Sequence, residues 1–132
     1  MKIKTNFYTF TPYDTLLYVE SFLSWDGRVA LDFATDAKQI ILEHYQNKPW
    51  AILHDARAWQ LGTPEVEKMI GKLLNTPRKN HLTHHAYVTG ASEIQKWQAE
   101  KVFKDIRAYE ARIFDSLDHA KTWLLSFGYA DH

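Results

Sequence analysis

One short run constrains this chain more than any other. Trp50-Ala51-Ile52-Leu53 is continuously apolar, follows Pro49 and stops at His54-Asp55. Successive residues of a strand face opposite sides of a sheet, so such a run predicts a strand covered on both faces. A sheet hidden on both sides needs helices to cover it, and the rest of the sequence supplies helical patterns.

Before that run, residues 3–10 are rich in β-formers and have no helical period. Thr11-Pro12-Tyr13-Asp14 follows, with Pro12 suited to the second position of a type I turn. Leu16–Phe22 resumes the β pattern, so the two runs predict a hairpin. Ser24-Trp25-Asp26-Gly27 breaks it. From about Val29, Phe33, Ala37, Ile40, Ile41 and His44 recur at helical spacing and predict a helix ending near Asn47, just before Pro49.

After the central strand, Thr63-Pro64-Glu65 forms a helix start, with Thr63 as N-cap and Pro64 at the first helical position. Val66, Met69, Ile70, Leu73 and Leu74 form the apolar face of this helix. Gly71 weakens it by about 1 kcal/mol against alanine, and Pro77 ends it. Ala86-Tyr87-Val88 predicts the next strand, stopped by Gly90. Ala91-Ser92-Glu93 opens a third helix carrying Ile94, Trp97, Val102, Phe103 and Ile106, with Glu100 and Lys104 paired on its solvent face. Arg112-Ile113-Phe114 is a last short strand. Asp115 or Ser116 caps a final helix with Leu117, Ala120, Trp123, Leu124 and Phe127 on one face and Gly128 at its end.

The order β-β-α-β-α-β-α-β-α predicts an α/β fold: a mixed, mostly parallel five-stranded sheet packed with four helices, its hairpin forming an antiparallel edge. With no linker, repeat or low-complexity run, residues 1–132 read as a single domain. The unpaired edge of the hairpin offers backbone groups to a second copy, which makes a homodimer one expected assembly.

Composition narrows the function classes. Sixteen basic residues balance sixteen acidic ones, so no net field gathers phosphates, and general nucleic-acid binding is not expected. Without cysteine there is neither a disulfide framework nor thiol chemistry. No run approaches the length of a membrane helix, and the amino-terminal residues lack a signal-peptide pattern, so the expected location is the cytoplasm. Aromatic residues reach 14%, including five Trp, and large rings let a modest chain fill its interior.

Two segments carry a resemblance. Pro49-Trp50-Ala51-Ile52-Leu53-His54-Asp55-Ala56-Arg57 matches a central strand ending in an acidic residue, and Ile113-Phe114-Asp115-Ser116-Leu117-Asp118-His119-Ala120-Lys121-Thr122-Trp123-Leu124 matches a strand followed by an Ala-x-x-Trp-Leu helix. With the element order, these resemble the STAS family, the fold of anti-sigma-factor antagonists, and within it the SpoIIAA-like, Sec14-like bacterial members. The resemblance spans nearly the whole chain and implies a regulatory or binding role. Sporulation-type antagonists carry Asp-Ser-(Ser or Thr)-Gly at the helix after the central strand, where a hydroxyl is phosphorylated. Here the region reads Gln60-Leu61-Gly62-Thr63-Pro64-Glu65, and its one hydroxyl, on Thr63, is already explained as a helix cap.

His54-Asp55-Ala56-Arg57 stands where the central strand leaves the sheet, the end at which open α/β sheets gather ligands. Asp55 and Arg57 could hold a polar ligand with Trp59 as a stacking surface; alternatively, the two simply pair with each other. Trp25 and Trp59 fall in expected loops, where they could cover an apolar pocket, anchor a partner or close the core. His81, His84 and His85 cluster beside Arg78 and Lys79. Zinc needs three or four convergent ligands, and neighbouring His84 and His85 on a strand point to opposite faces, so a solvated loop without metal is expected. No carboxylate pair, nucleophile elbow, dinucleotide fingerprint or phosphate loop is present. The expectation is therefore a non-enzymatic module without a cofactor, binding an unidentified protein partner around Asp55, Arg57, Trp59, Thr63 and Trp25. The alternative is a carrier of a small apolar or lipid-like ligand held between the first helix and the sheet, or under Trp25 and Trp59. An enzymatic reading rests only on His54, Asp55 and Arg57.

Overall fold

The computed structural model describes residues 2–60, 63–75, 81–90, 92–104 and 106–131. Its elements in chain order are β1 (Ile3–Lys4), β2 (Tyr8–Pro12), β3 (Leu16–Ser24), α1 (Gly27–His44), β4 (Trp50–Gln60), α2 (Pro64–Asn75), β5 (Leu82–Val88), α3 (Glu93–Phe103), β6 (Glu110–Phe114) and α4 (Leu117–Leu125). The strands form one six-stranded sheet whose spatial order is the chain order. β1 with β2 and β2 with β3 pair antiparallel, and β3 through β6 are parallel.

Consecutive parallel strands laid side by side in chain order, with crossovers of one hand, place every crossover helix on the same face. That is the arrangement here. Apolar residues of α1 (Ala30, Phe33, Ala37, Ile40, Ile41), α2 (Val66, Ile70) and α3 (Ala99, Phe103) share one large aromatic core with the sheet. The last helix, α4, is not a crossover. It folds onto the opposite face, where Ala120 and Leu124 meet Leu16, Ala51, Leu53, Ala86 and Val88. Trp50, Ala51 and Leu53 are fully buried, so the apolar run is covered on both faces as its pattern requires.

Six strands rather than five result because residues 3–10 do not form one strand. The Thr5 hydroxyl accepts from the Phe7 and Tyr8 backbone N–H groups and breaks the run into β1 and β2. The hairpin edge thus ends in the two residues of β1, while β6 forms the five-residue opposite edge. Pro12 closes β2 instead of opening the turn; Tyr13 N–H donates to the Leu16 carbonyl across it at 2.9 Å. The central strand continues past His54-Asp55 to Gln60, because β3 pairs with it to that point after a register shift between Glu20 and Phe22.

Helix starts follow their caps. Asp26 accepts from Val29 N–H at α1, Ser92 from Gln95 N–H at α3, and Ser116, rather than Asp115, from His119 N–H at α4. The first helix stops at His44, earlier than Asn47, and Tyr45 caps it with its N–H on the Ile41 carbonyl. The third helix buries the later part of its expected apolar set and leaves the earlier part outside. Ala99 and Phe103 are buried, while Ile94 (71%) and Trp97 (62%) stand exposed. Ile106 is buried but lies beyond the helix end. Pro77, Arg78 and Lys79 lie outside the described residues, as do Ala91 and the Leu74 side chain. Among the described residues no helix is long and apolar enough to cross a membrane.

Tyr45 ties three elements together. It is fully buried, stacks on Trp50 with ring centroids 4.6 Å apart, and sets its hydroxyl 2.6 Å from the Tyr13 carbonyl and 3.1 Å from that of Leu16. Burial raises its phenol well above the ordinary range, ahead of the charge of Asp14, so it stays a neutral donor. Tyr45→Phe keeps the ring but leaves these hairpin carbonyls without that donor, a loss of about 1–3 kcal/mol. Chemical denaturation should show this as a lower midpoint with an unchanged slope. An unchanged midpoint would mean that the hydroxyl does not brace the hairpin.

Candidate functional site

The expected site residues do not converge on one spot. Asp55 follows Ala51 and Leu53 in phase, which puts it on the α4 face of β4, and it forms a two-pronged ion pair with Arg57. The Arg57 Nε donates to one carboxylate oxygen at 2.9 Å and Nη2 to the other at 2.8 Å, while the Arg57 backbone N–H adds a bond at 3.2 Å. Burial works to raise the Asp55 carboxyl, but these bonds and the charge of Arg57 hold it below the usual carboxylate range. Asp55 is mostly buried and Arg57 half exposed. The pair satisfies itself, with the guanidinium fork spent on the carboxylate.

Trp25 and Trp59 belong to the opposite face. Both are almost wholly buried, 4.6 Å apart between ring centroids, and part of the main core. Neither is a loop anchor: Trp59 lies inside β4, and the Trp25 indole donates to the Phe22 carbonyl at 3.0 Å between β3 and α1. Thr63 is exposed and caps α2, its hydroxyl oxygen accepting from Val66 N–H at 3.4 Å, with Pro64 as the first helical residue.

His54 points into the main core beside a partner that no sequence signal reveals. Its Nε2 lies 2.6 Å from the Ser21 hydroxyl, and both residues are buried. Desolvation dominates and pulls the imidazole down from 6.5 to about 4, although the Asp55 charge opposes the shift. The ring is neutral at physiological pH and lies near-parallel to both Phe33 and Trp59.

His84 and His85 do face opposite sides of β5, as adjacent strand residues must. They are not a solvated loop. His85 is buried near Phe103 and Tyr109, and His84 stacks on Phe127 at 4.0 Å with Glu110 3.4 Å away. His81 alone stays exposed. Among the described residues no three His, Asp or Glu side chains converge as a metal site would need.

Between the three-helix layer and the sheet lies an apolar cavity of about 50 Å³. Phe33 of α1, Ile70 of α2, Val102 of α3 and His54, Trp59 and Tyr87 of the sheet line it. The buried Trp59 Nε1 has no hydrogen-bond partner among the described residues. This is the space expected between the first helix and the sheet, though a cavity of this size suits a small solute or a few waters rather than an acyl chain.

Leu23 is a further residue that the sequence does not flag. It is exposed and held at φ 63°, a left-handed conformation that bulky side chains avoid. It pairs in register with Trp59 at the end of β4, and the Trp59 carbonyl accepts from the Gln95 amide of α3 at 2.7 Å. Leu23, Ile94 and Trp97 are all exposed, and the Gln95 bond brings the start of α3 to the carboxyl end of β4.

The neutral His54 makes a prediction about acid stability. The unfolded chain takes up a proton near pH 6.5 and the folded chain only near 4, so stability is intact above 6.5 and is lost as pH falls toward 4. The loss amounts to about 3 kcal/mol. His54→Gln, which can still bond Ser21, should flatten thermal stability across that window. Any loss through Asp55 falls below 3.8 and stays separate. Equal pH slopes for the two proteins would refute the assignment.

No protein-family model matches the sequence, and no curated protein does. Among solved structures, the chain is similar to an anti-sigma factor antagonist from Mycobacterium paratuberculosis at 13% identity, over 95% of this chain and 93% of that one, with a TM-score of 0.62. At that identity the likeness is one of fold. The chain has the STAS-like α/β fold of an anti-sigma factor antagonist, with a six-stranded sheet and four helices.

Proposed function

We propose that residues 1–132 act as one STAS-like domain: a cytoplasmic, non-enzymatic binding module that contacts a protein partner through the carboxyl end of β4 and the outer face of α3. The observation that carries this reading is the exposure of Ile94 and Trp97 one helical turn apart. The core had room for Trp25, Trp50 and Trp59, so an exposed tryptophan on a short helix is the exception in this chain. Exposed Trp is the residue type most enriched among the few side chains that dominate protein interfaces. Lys101 lies over the Trp97 ring at 5.1 Å and pairs with Glu67 of α2 at 2.9 Å, which steadies the indole on the surface. Leu23, strained and exposed, stands beside Trp59 near the end of β4, and strain of this kind gathers at functional positions.

The polar candidates support a non-enzymatic reading by their occupation. Asp55 and Arg57 hold each other, Thr63 caps α2, and Ser21 and His54 face one another inside the core. The partner's identity follows from the fold only by analogy. An anti-sigma factor antagonist shares the architecture, and function lies in the site rather than the fold.

A second reading, a carrier of a small apolar ligand, is favoured by the cavity under Trp59. At about 50 Å³ the cavity suits a small solute, and a lipid would require α1 and α2 to move off the sheet.

The two readings separate in one experiment. The immobilised chain should retain a protein from extracts of its source cells, and Trp97→Ala should weaken that complex by roughly tenfold or more. Leu42→Ala, an exposed apolar change on α1, should leave it unaltered, and the melting temperature of both variants should stay near that of the parent. Retention indifferent to Trp97 and Ile94 would overturn the proposal. A small molecule co-purifying in native mass spectra, lost on filling the cavity with Ala37→Leu, would favour the carrier instead.

A further inference from the structure

A second cleft opens at the same carboxyl end of the sheet as Leu23, displaced toward the β6 edge. β5 and β6 are neighbouring parallel strands, yet the chain leaving β5 enters α3 on the main-core face and the chain leaving β6 enters α4 on the other. Adjacent strands whose continuations part to opposite faces leave a crevice outside their carboxyl ends, the position at which open α/β sheets bind ligands. Here the crevice is a cleft of about 520 Å³, within the range of small-molecule sites.

Its lining is cationic and aromatic. Lys96 comes from α3, Arg112 and Phe114 from β6, and His119 and Trp123 from α4. Neither Lys96 nor Arg112 makes an ion pair among the described residues. The Arg112 guanidinium instead lies over the rings of Phe114 and Trp123, 5.8 and 5.9 Å from their centroids. Rings orient a guanidinium without neutralising it, so its hydrogen-bonding fork stays available. In a chain whose basic and acidic residues balance, these two cations meet in one cleft. Asp115 also lines the cleft, so two fixed cations stand against one carboxylate. That balance matches a ligand with one negative charge and disfavours a polyanion.

We propose that this cleft binds a small aromatic carboxylate, its acid group held by Arg112 and Lys96 and its flat body against Trp123 and Phe114. The ligand differs in chemistry and place from both the protein partner at Trp97 and the solute cavity under Trp59, so the proposal is independent of either reading.

Titration of the full chain with 1-naphthoate, followed by calorimetry and by amide and indole chemical shifts, tests it. Naphthoate should bind roughly tenfold more tightly than neutral 1-naphthamide, and more tightly than acetate, moving the Trp123 indole and the signals of Arg112 and His119. Arg112→Gln should weaken binding about tenfold and Lys96→Gln about threefold, whereas Lys48→Gln on the far side should change nothing. Lys96 is exposed on a helix, so its variant remains informative should Arg112→Gln disturb the edge strand. Equal affinity for naphthamide, binding that survives both substitutions, no binding, or shifts confined to Phe33 and Ile70 around the internal cavity would each overturn the proposal.

Discussion

The arrangement depends on hiding β4. Its first four residues are apolar and almost wholly buried, with Trp50 and Ile52 turned to one side of the sheet and Ala51 and Leu53 to the other. At roughly 1.5–3 kcal/mol for each large side chain removed from water, exposing either side would cost more than a small chain can spare. The strand must therefore sit between β3 and β5 with a layer above and a layer below. Once the strands follow each other in order, same-handed crossovers put α1, α2 and α3 together, and only α4 remains to cover the reverse face. The two cores differ accordingly. The three-helix side holds most of the buried rings, while Ala51, Ala86 and Ala120 let a single short helix lie close to the other side.

Much of this was legible because it depends on periodicity and punctuation. The stripe from Phe33 to Ile41, the Thr63-Pro64 start and the apolar run at Trp50 all produced the elements they predict. Each is a local signal that tertiary packing reinforces. Where the reading slipped, a local signal met a longer-range pairing. β4 runs through the polar His54-Asp55 because β3 keeps pairing beside it, and polar residues are tolerated there once Ser21 and Arg57 bond them. The split of residues 3–10 arises from one hydroxyl turning its own backbone, which composition does not register.

The tryptophans show the limit most clearly. Trp25 and Trp59 fell in expected loops and stood equally for surface anchors or for rings closing the core, while Trp97 was grouped with the apolar residues of its helix. The structure buries the first two and exposes the third. On α3 the inward phase is set by Ala99 and Phe103, one turn apart, and Ile94 and Trp97 fall on the far side of the same helix. With several aromatic and aliphatic residues on one short helix, periodicity admits two faces, and only the sheet chooses between them. The apolar side chains left exposed on α3 were therefore ones that the sequence had grouped with its packing residues.

Charge behaves in the same way. A balanced total argued against an electrostatic partner, and on average that is sound, because Asp55 with Arg57, Glu67 with Lys101 and Asp131 with Lys121 cancel locally. Totals do not reveal where cancellation fails. Lys96 and Arg112, neither ion-paired among the described residues, meet in one cleft because the chain leaves β5 and β6 toward opposite faces. A neutral chain can present a cationic cleft when its topology gathers cations that its composition balances elsewhere. The placement of α4, itself a consequence of covering β4, forms one wall of that cleft.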